Sequence, residues 1–413
     1  MPMTVQHLAQ RARIAAQSVA LSPTKQRQDA LYHIAAALRA DKAAVLAANQ
    51  HDIGGPALSP SLQARLTLTD ERLEGMARKA EALAEMEAPV GQVLGEWERP
   101  NGLKIRRVAI ALGVLGLIFE HRLVIGWDAA LQSLWSGNAI LLCGGAESAH
   151  SMQALHEVIQ RGLRQAGLPE DAVLLIPHGD AAQRAALLQA VGLVDFIIPR
   201  GDRALTERIK RESRVPVLAH AAGLCHSYIH AAAEPMMARR VLRNAKLRSP
   251  GICGATETLL IDAAIAPQLL PLIVADLSAE GCSFRANEAA CALLPTLPAA
   301  IEEDFATEWL DKVLNIAVVA NIDEALAHIA RFSSHHTEAI LTEDEAVARY
   351  FMARIPSAIV MWNSSTQFSD GGEFGLGGEV AIVAERAIPR GPIGPFQLTS
   401  YRYEVHGAGH IRP

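Results

Sequence analysis

The stretch Gly113-Val-Leu-Gly-Leu-Ile-Phe-Glu-His-Arg-Leu-Val-Ile-Gly-Trp-Asp-Ala-Ala-Leu-Gln-Ser-Leu-Trp-Ser-Gly-Asn-Ala-Ile-Leu-Leu142 changes its hydrophobic period twice. Gly113 to Phe119 is a short apolar run, the signature of a buried strand. Ile125 to Trp135 has helical spacing. Ser136-Gly137-Asn138 is a turn, and Ala139 to Leu142 is apolar again. A strand, a helix and a strand joined this tightly form a parallel crossover unit. The pattern repeats downstream. Helices are expected over Ser148–Ala166, Asp180–Ala190 (opened by the Asp180 carboxylate) and Asp202–Glu212. Strands are expected over Ala172–Ile176, Val194–Ile198 and Val215–Leu218. Repeated units of this kind predict an α/β fold with a doubly wound parallel sheet.

A second α/β segment follows. It has strands expected at Glu257–Ile261, Ile316–Val319, Ala339–Leu341 and Ala358–Met361. Helices are expected at Pro235–Lys246, Pro267–Glu280, Asp323–Phe332 and Glu343–Arg354. Upstream, residues 1 to about 90 are helical in pattern. Val5, Leu8, Ala12, Ala15 and Val19 lie on one face, and Ser22-Pro23 and Ser59-Pro60 read as helix starts. Asn101-Gly102 between two alternating segments predicts a hairpin, and Thr399–Val405 a late strand.

With 413 residues, half of them apolar, the chain exceeds one core, and two domains plus arms are expected. The net charge of -6 gives no general attraction to nucleic acid. The apolar run Val108–Phe119 is too short to span a membrane. Five cysteines without a C-x-x-C spacing suggest neither a disulfide framework nor a zinc site. Reduced thiols point to the cytoplasm.

No G-x-G-x-x-G, P-loop, G-x-S-x-G or H-E-x-x-H occurs. Two loops after strands are candidates for nucleotide contact: Cys143-Gly-Gly-Ala-Glu-Ser148 and Pro199-Arg-Gly-Asp202. Each also reads as an ordinary βα turn. Cys253 sits in Arg248-Ser-Pro-Gly-Ile-Cys-Gly-Ala-Thr-Glu257, where Pro250 and Gly251 force a loop and Lys246 and Arg248 bring positive charge. A thiolate nucleophile needs such a setting, whereas most free cysteines are inert core residues. His220, His226, His335 and His336 lie in or near loops, without metal spacing, and no metal is expected. The glycine-dense Gly371-Gly-Glu-Phe-Gly-Leu-Gly-Gly-Glu379 reads as a phosphate- or substrate-contacting loop in preference to a tight crossover.

Ordered blocks over nearly the whole chain resemble the gamma-glutamyl phosphate reductases of the aldehyde dehydrogenase superfamily. They include Gly113-Val-Leu-Gly-Leu-Ile-Phe-Glu120, Asp195-Phe-Ile-Ile-Pro-Arg-Gly201, Cys225-His-Ser-Tyr228, Asn244-Ala-Lys-Leu-Arg-Ser-Pro-Gly-Ile-Cys253 and Asp370-Gly-Gly-Glu-Phe-Gly-Leu-Gly377. The resemblance implies an NADP-binding domain over 1–93 and 110–228 and a catalytic domain over 229–385. It also implies an oligomerisation hairpin and arm over 94–109 and 386–413. It implies NADPH-dependent reduction of L-glutamyl 5-phosphate to L-glutamate 5-semialdehyde in proline biosynthesis, through a thioester on Cys253. Asn244, Lys246 and Glu257 are then catalytic with Cys253. Gly144, Gly145, Glu147, Pro199, Arg200, Gly201 and Glu308 bind the cofactor. Arg122, His226, His336, Gly372 and Glu373 bind substrate. A homo-oligomer, dimer or tetramer, and a glutamate 5-kinase partner are the implied assemblies.

Val215 to Cys225 contains no acid to activate water, which argues for phosphate as the acyl partner. The chain departs from the family blocks at His121, Leu123, Val124, Cys143, Gly254, Phe332 and Gln367; the last stands where the family carries Arg. Two other readings stay open: a relative acting on another acyl phosphate or aldehyde, and a catalytically silent binding paralogue.

Overall fold

A computed structural model describes residues 4–54, 59–177, 181–219, 222–385 and 389–412. Two compact units form. One comprises Met1–Ala219, Gly375–Ala381 and Ile393–Pro413, the other His220–Phe374 and Ile382–Pro392.

In the first unit the helix Val5–Leu21 buries Val5, Leu8, Ala12, Ala15 and Val19, the face expected from their spacing. Ser59 caps Pro60–Leu66 by accepting from the Leu62 N–H, and Thr24–Ala40 begins one residue after Pro23. β1 (Val93–Glu98) and β2 (Lys104–Ala111) pair antiparallel around Asn101-Gly102, and Gly102 takes a φ of 88°. The central sheet contains β3 (Val114–Phe119), β4 (Ala139–Cys143), β5 (Val173–Leu175) and β6 (Phe196–Arg200), all parallel, in the order β5-β4-β3-β6. The chain winds outward from β3 through β4 to β5, then returns to place β6 on the other side. This is one half of a doubly wound sheet. Helices Leu123–Trp135 and Ala149–Gln165 connect its strands.

Two expectations are corrected here. Val215–Leu218 forms no strand and contributes only a single bridge from Val217 to Ile197. Pro199 and Arg200 belong to β6 and not to the loop after it. β6 is the last strand in its sheet's order, where a proline without an N–H is tolerated.

The second unit holds a six-stranded sheet ordered β12-β11-β7-β8-β10-β9, parallel throughout. Its strands are β7 (Cys225–Ile229), β8 (Thr256–Asp262), β9 (Ser283–Ala286), β10 (Val313–Val319), β11 (Thr337–Leu341) and β12 (Ile359–Trp362). β8, buried along its whole length, is the Glu257–Ile261 strand read from sequence. β7 and β9 carry weaker signals. β7 interleaves His and Ser with apolar residues, and β9 is only four residues long. A short ribbon, β13 (Ile382–Val383) with β14 (Gly391–Pro392), completes this unit. β15 (Thr399–His406) returns to the first unit and pairs antiparallel with β2 over its whole length. Asp180 and His220 lie outside the described residues. Among the described residues, no helix is long and apolar enough to cross a membrane.

Candidate active site

The helix Pro235–Leu247 sets up the Cys253 loop. Glu234 caps its start by accepting from the N–H groups of Met236 (2.8 Å) and Met237 (2.5 Å), and Pro235 takes the first helical position. The chain then turns through Ser249-Pro250-Gly251 and enters β8 at Thr256. Cys253 is therefore at the amino end of β8, half-buried, in a turn closed by the Ala255 N–H donating to the Ile252 carbonyl at 3.0 Å. It packs against the buried Ala339, Ile359, Met361 and Ile382.

Three contacts hold this turn. The Cys225 thiol donates to the Cys253 carbonyl oxygen at 3.1 Å. Gly223 lies so close that a Cβ there would stand 2.0 Å from the same oxygen. Gly254 abuts the turn Ser365–Ser369, where a Cβ would meet the Ser369 hydroxyl at 2.6 Å. The space a side chain on Gly254 would fill is taken up by this close approach.

Behind the loop is a ladder of buried polar groups. Lys246 and Glu257, expected as catalytic, form an ion pair at 2.8 Å with 0% and 1% of their side chains exposed. Burial pushes the Glu257 carboxyl up to about 7 despite the Lys246 ammonium, and the Leu310 N–H donates to it at 3.3 Å. Both side chains are closed to solvent, and the pair forms a buried support behind the loop. Asn244 lies on the exposed face of the same helix, opposite Lys246. Two residues along a helix rotate the side chain by about 200°.

His226 and His336, expected at the substrate, are also sealed, at 1% and 0% exposure. His226 donates its backbone N–H and presents Nδ1 to Glu338, at 3.0 and 2.9 Å, and the Ser333 and Ser357 hydroxyls hold the other carboxylate oxygen. His336 Nδ1 meets the Thr337 hydroxyl at 2.8 Å and the Cys225 sulfur at 3.6 Å. Burial lowers His336 to about 4 and His328, packed between Phe305 and Phe332, to about 3. Values this low keep the His336 and His328 rings neutral near pH 7.

Glu308 does reach the loop region. Its carboxylate accepts the Gly223 N–H at 2.7 Å, and Gly223 packs on Cys253. A carboxylate absent from Val215–Cys225 in sequence thus lies beside that segment in the fold, so the sequence absence does not by itself separate phosphate from water as acyl partner. Gly372 and Glu373 are exposed. Both donate N–H groups to Asp370, at 2.7 and 3.2 Å, in an Asx turn. The glycines that follow serve geometry: Gly377 has φ 78°, and a Cβ would fall 2.2 Å from the Met86 sulfur. This favours the tight crossover over the phosphate loop.

In the first unit a cavity of about 450 Å³ opens at the carboxyl ends of β4 and β5. Gly144 and Gly145 form one wall, Leu175, Ile176 and Pro177 another, and His51 and His150 lie at its polar side. These two rings are 3.9 Å apart although they come from separate helical segments, so no local spacing signals the pair. Asp52 between them caps Ala149–Gln165 by accepting from the Ser151 N–H at 2.7 Å. Glu147 is partly buried and bound to His121, through its N–H at 2.8 Å and its ring at 3.0 Å. Arg200 ends β6 and Gly201 follows it. Pro199 is buried within the strand. Arg122 precedes Leu123–Trp135 and is exposed.

Residues 2–282 match the Aldehyde dehydrogenase family. The gamma-glutamyl phosphate reductase of Gluconobacter oxydans (strain 621H) is 55% identical over 98% of this chain and 95% of its own length. The chain belongs to the gamma-glutamyl phosphate reductase family. That of Acidiphilium cryptum (strain JF-5) is 53% identical over 98% of this chain and 96% of its own. The crystal structure of the gamma-glutamyl phosphate reductase from Thermotoga maritima superposes with a TM-score of 0.97 at 34% identity, covering all of both chains.

The departures from the gamma-glutamyl phosphate reductase blocks now have physical settings. Cys143 is 1% exposed within an apolar cluster, so a basic side chain there would have to leave the core. Leu123 is 1% exposed at the start of its helix, and Val124 is half-buried. His121 occupies the left-handed region, φ 56°, where its N–H faces Glu147. Gln367 is buried and donates to the carbonyls of Ala245 (3.0 Å) and Ser249 (3.3 Å), tying down the end of the Lys246 helix.

Proposed function

We propose that this chain reduces L-glutamyl 5-phosphate to L-glutamate 5-semialdehyde with NADPH, releasing phosphate, in proline biosynthesis. The observation that carries the reading is the Cys253 turn. It is a half-buried thiol in a loop clamped by Cys225, Gly223 and the Ser365–Ser369 turn, in a chain 55% identical to a reductase of that name. The thiolate attacks the acyl carbon, the carbon–oxygen bond to phosphate breaks, and phosphate departs with the electron pair. A thioester remains on Cys253. Backbone N–H groups of the loop stabilise the oxyanion, and collapse of the reduced adduct returns the thiolate.

NADPH supplies the hydride when bound. The cavity of about 450 Å³ has the size and mixed lining of a nucleotide pocket. Gly144 and Gly145 would hold the cofactor there, with Glu147, Arg200 and Gly201 of the same unit as further contacts. The first unit is then the cofactor-binding part and the second the catalytic part. The sheet of β1, β2 and β15 leaves Val93, Trp97, Tyr401, Tyr403 and Val405 exposed, which suits a homo-oligomer. A cytoplasmic home and handover from glutamate 5-kinase belong to the same reading.

The test follows the reverse reaction, with glutamate 5-semialdehyde, NADP and phosphate, by absorbance of the reduced nicotinamide. Phosphate-dependent reduction, lost in Cys253→Ser, is expected. Turnover that survives Cys253→Ser would overturn the reading.

A further inference from the structure

We infer that Arg248 is the guanidinium that contacts the phosphoryl group of the substrate, held in place by Gln367. The inference rests on the acyl-phosphate reading above.

Arg248 ends the helix Pro235–Leu247 and opens the loop to Cys253. Its side chain is exposed, and its hydrogen-bond partner is a neutral group, the Gln367 Oε1, at 3.3 Å. Among the described residues no carboxylate pairs with it. Lys246, the neighbouring cation, is sealed and matched by Glu257, so it cannot meet a ligand. Arg390 donates to the carbonyls of Ala384 and Pro356. Arg248 therefore keeps its charge for an anion, and its planar donors match a phosphate's oxygens.

Gln367 fixes where that charge sits. Its Nε2 donates to the Ala245 and Ser249 carbonyls, which forces Oε1 toward Arg248 and removes the ambiguity of the amide's orientation. The turn carrying Gln367 packs on Gly254, the residue after the nucleophile. The guanidinium is thus anchored to the element that touches the Cys253 loop. Gln367 accepts from the cation without neutralising it, as a carboxylate at the same place would not. A plainer role, in which Arg248 only steadies a helix C-terminus, would act on stability alone.

Steady-state kinetics of semialdehyde oxidation, varying inorganic phosphate and aldehyde separately, test the assignment. Arg248→Gln is expected to raise KM for phosphate at least about tenfold, the scale of a charge-assisted hydrogen bond, and to leave KM for the aldehyde and the melting temperature nearly unchanged. The double variant Arg248→Gln, Gln367→Arg returns a guanidinium from the opposite partner and is expected to recover most of the phosphate KM. An unchanged phosphate KM, a rise confined to the aldehyde KM, or a loss matched by a lowered melting temperature that the double variant does not recover would overturn the inference. A wild-type enzyme indifferent to phosphate would overturn the acyl-phosphate reading along with it. A phosphate-dependent wild type with unaffected variants overturns this inference alone.

Discussion

The Cys225 thiol donates to the carbonyl oxygen of Cys253 across 3.1 Å, fastening the Cys253 turn to the first residue of β7. Burial pushes the Cys225 thiol well above the ordinary thiol range, so it stays a protonated donor. Cys253 is half-buried, whereas Cys143, Cys225 and Cys282 are buried, and burial holds Cys282 at about 11. Brief treatment with iodoacetamide near neutral pH is expected to modify Cys253 ahead of these three, read by peptide mass spectrometry. Equal labelling of Cys225 would contradict this arrangement.

The clamp also makes Gly223 sensitive. A methyl group there would stand 2.0 Å from the Cys253 carbonyl oxygen, so Gly223→Ala must shift the turn. A displacement near 1 Å at a reacting group costs on the order of 100-fold in rate. The expected outcome is a kcat lower by about that factor with the chain still folded by circular dichroism.

The Lys246–Glu257 pair supports the loop from inside. Lys246→Met alone leaves a buried carboxylate unmatched and is expected to cost about 3–5 kcal/mol, while the Lys246→Met, Glu257→Leu double variant recovers much of it. Urea unfolding of the three proteins gives the comparison. If the double variant is as unstable as the single one, the pair is not what sets the cost.

His336 gives a pH dependence of definite sign. Its folded value, lowered by burial to about 4, lies below the ordinary 6.5, so the unfolded chain takes up the proton first. Stability from this group is complete above pH 6.5 and is lost as pH falls toward 4, by roughly 3 kcal/mol. His328, lowered to about 3, acts in the same direction. Unfolding free energies measured across that window should decline toward acid, and less steeply in His328→Leu.

Much of this protein is determined by local pattern. The period changes between Gly113 and Leu142, the caps at Ser59 and Glu234, and the Asn101-Gly102 turn depend on neighbours a few residues away, and all appear where their residue types require them. The Cys253 loop was legible for the same reason: Pro250 and Gly251 cannot continue a helix, and the ordered family blocks carried the rest. Chain order alone could not decide burial across the sheet. His226, His336, Lys246 and Glu257 are residue types that serve equally as catalysts or as matched core groups. Their burial is decided only in the fold, where β7 pairs with β8 and β11 and the helix Pro235–Leu247 packs on β8. Likewise Glu308 reaches Gly223, and Gln367 reaches Arg248, across separations of 85 and 119 residues. No periodicity records such contacts, because they exist only once parallel strands bring distant loops to the same sheet end.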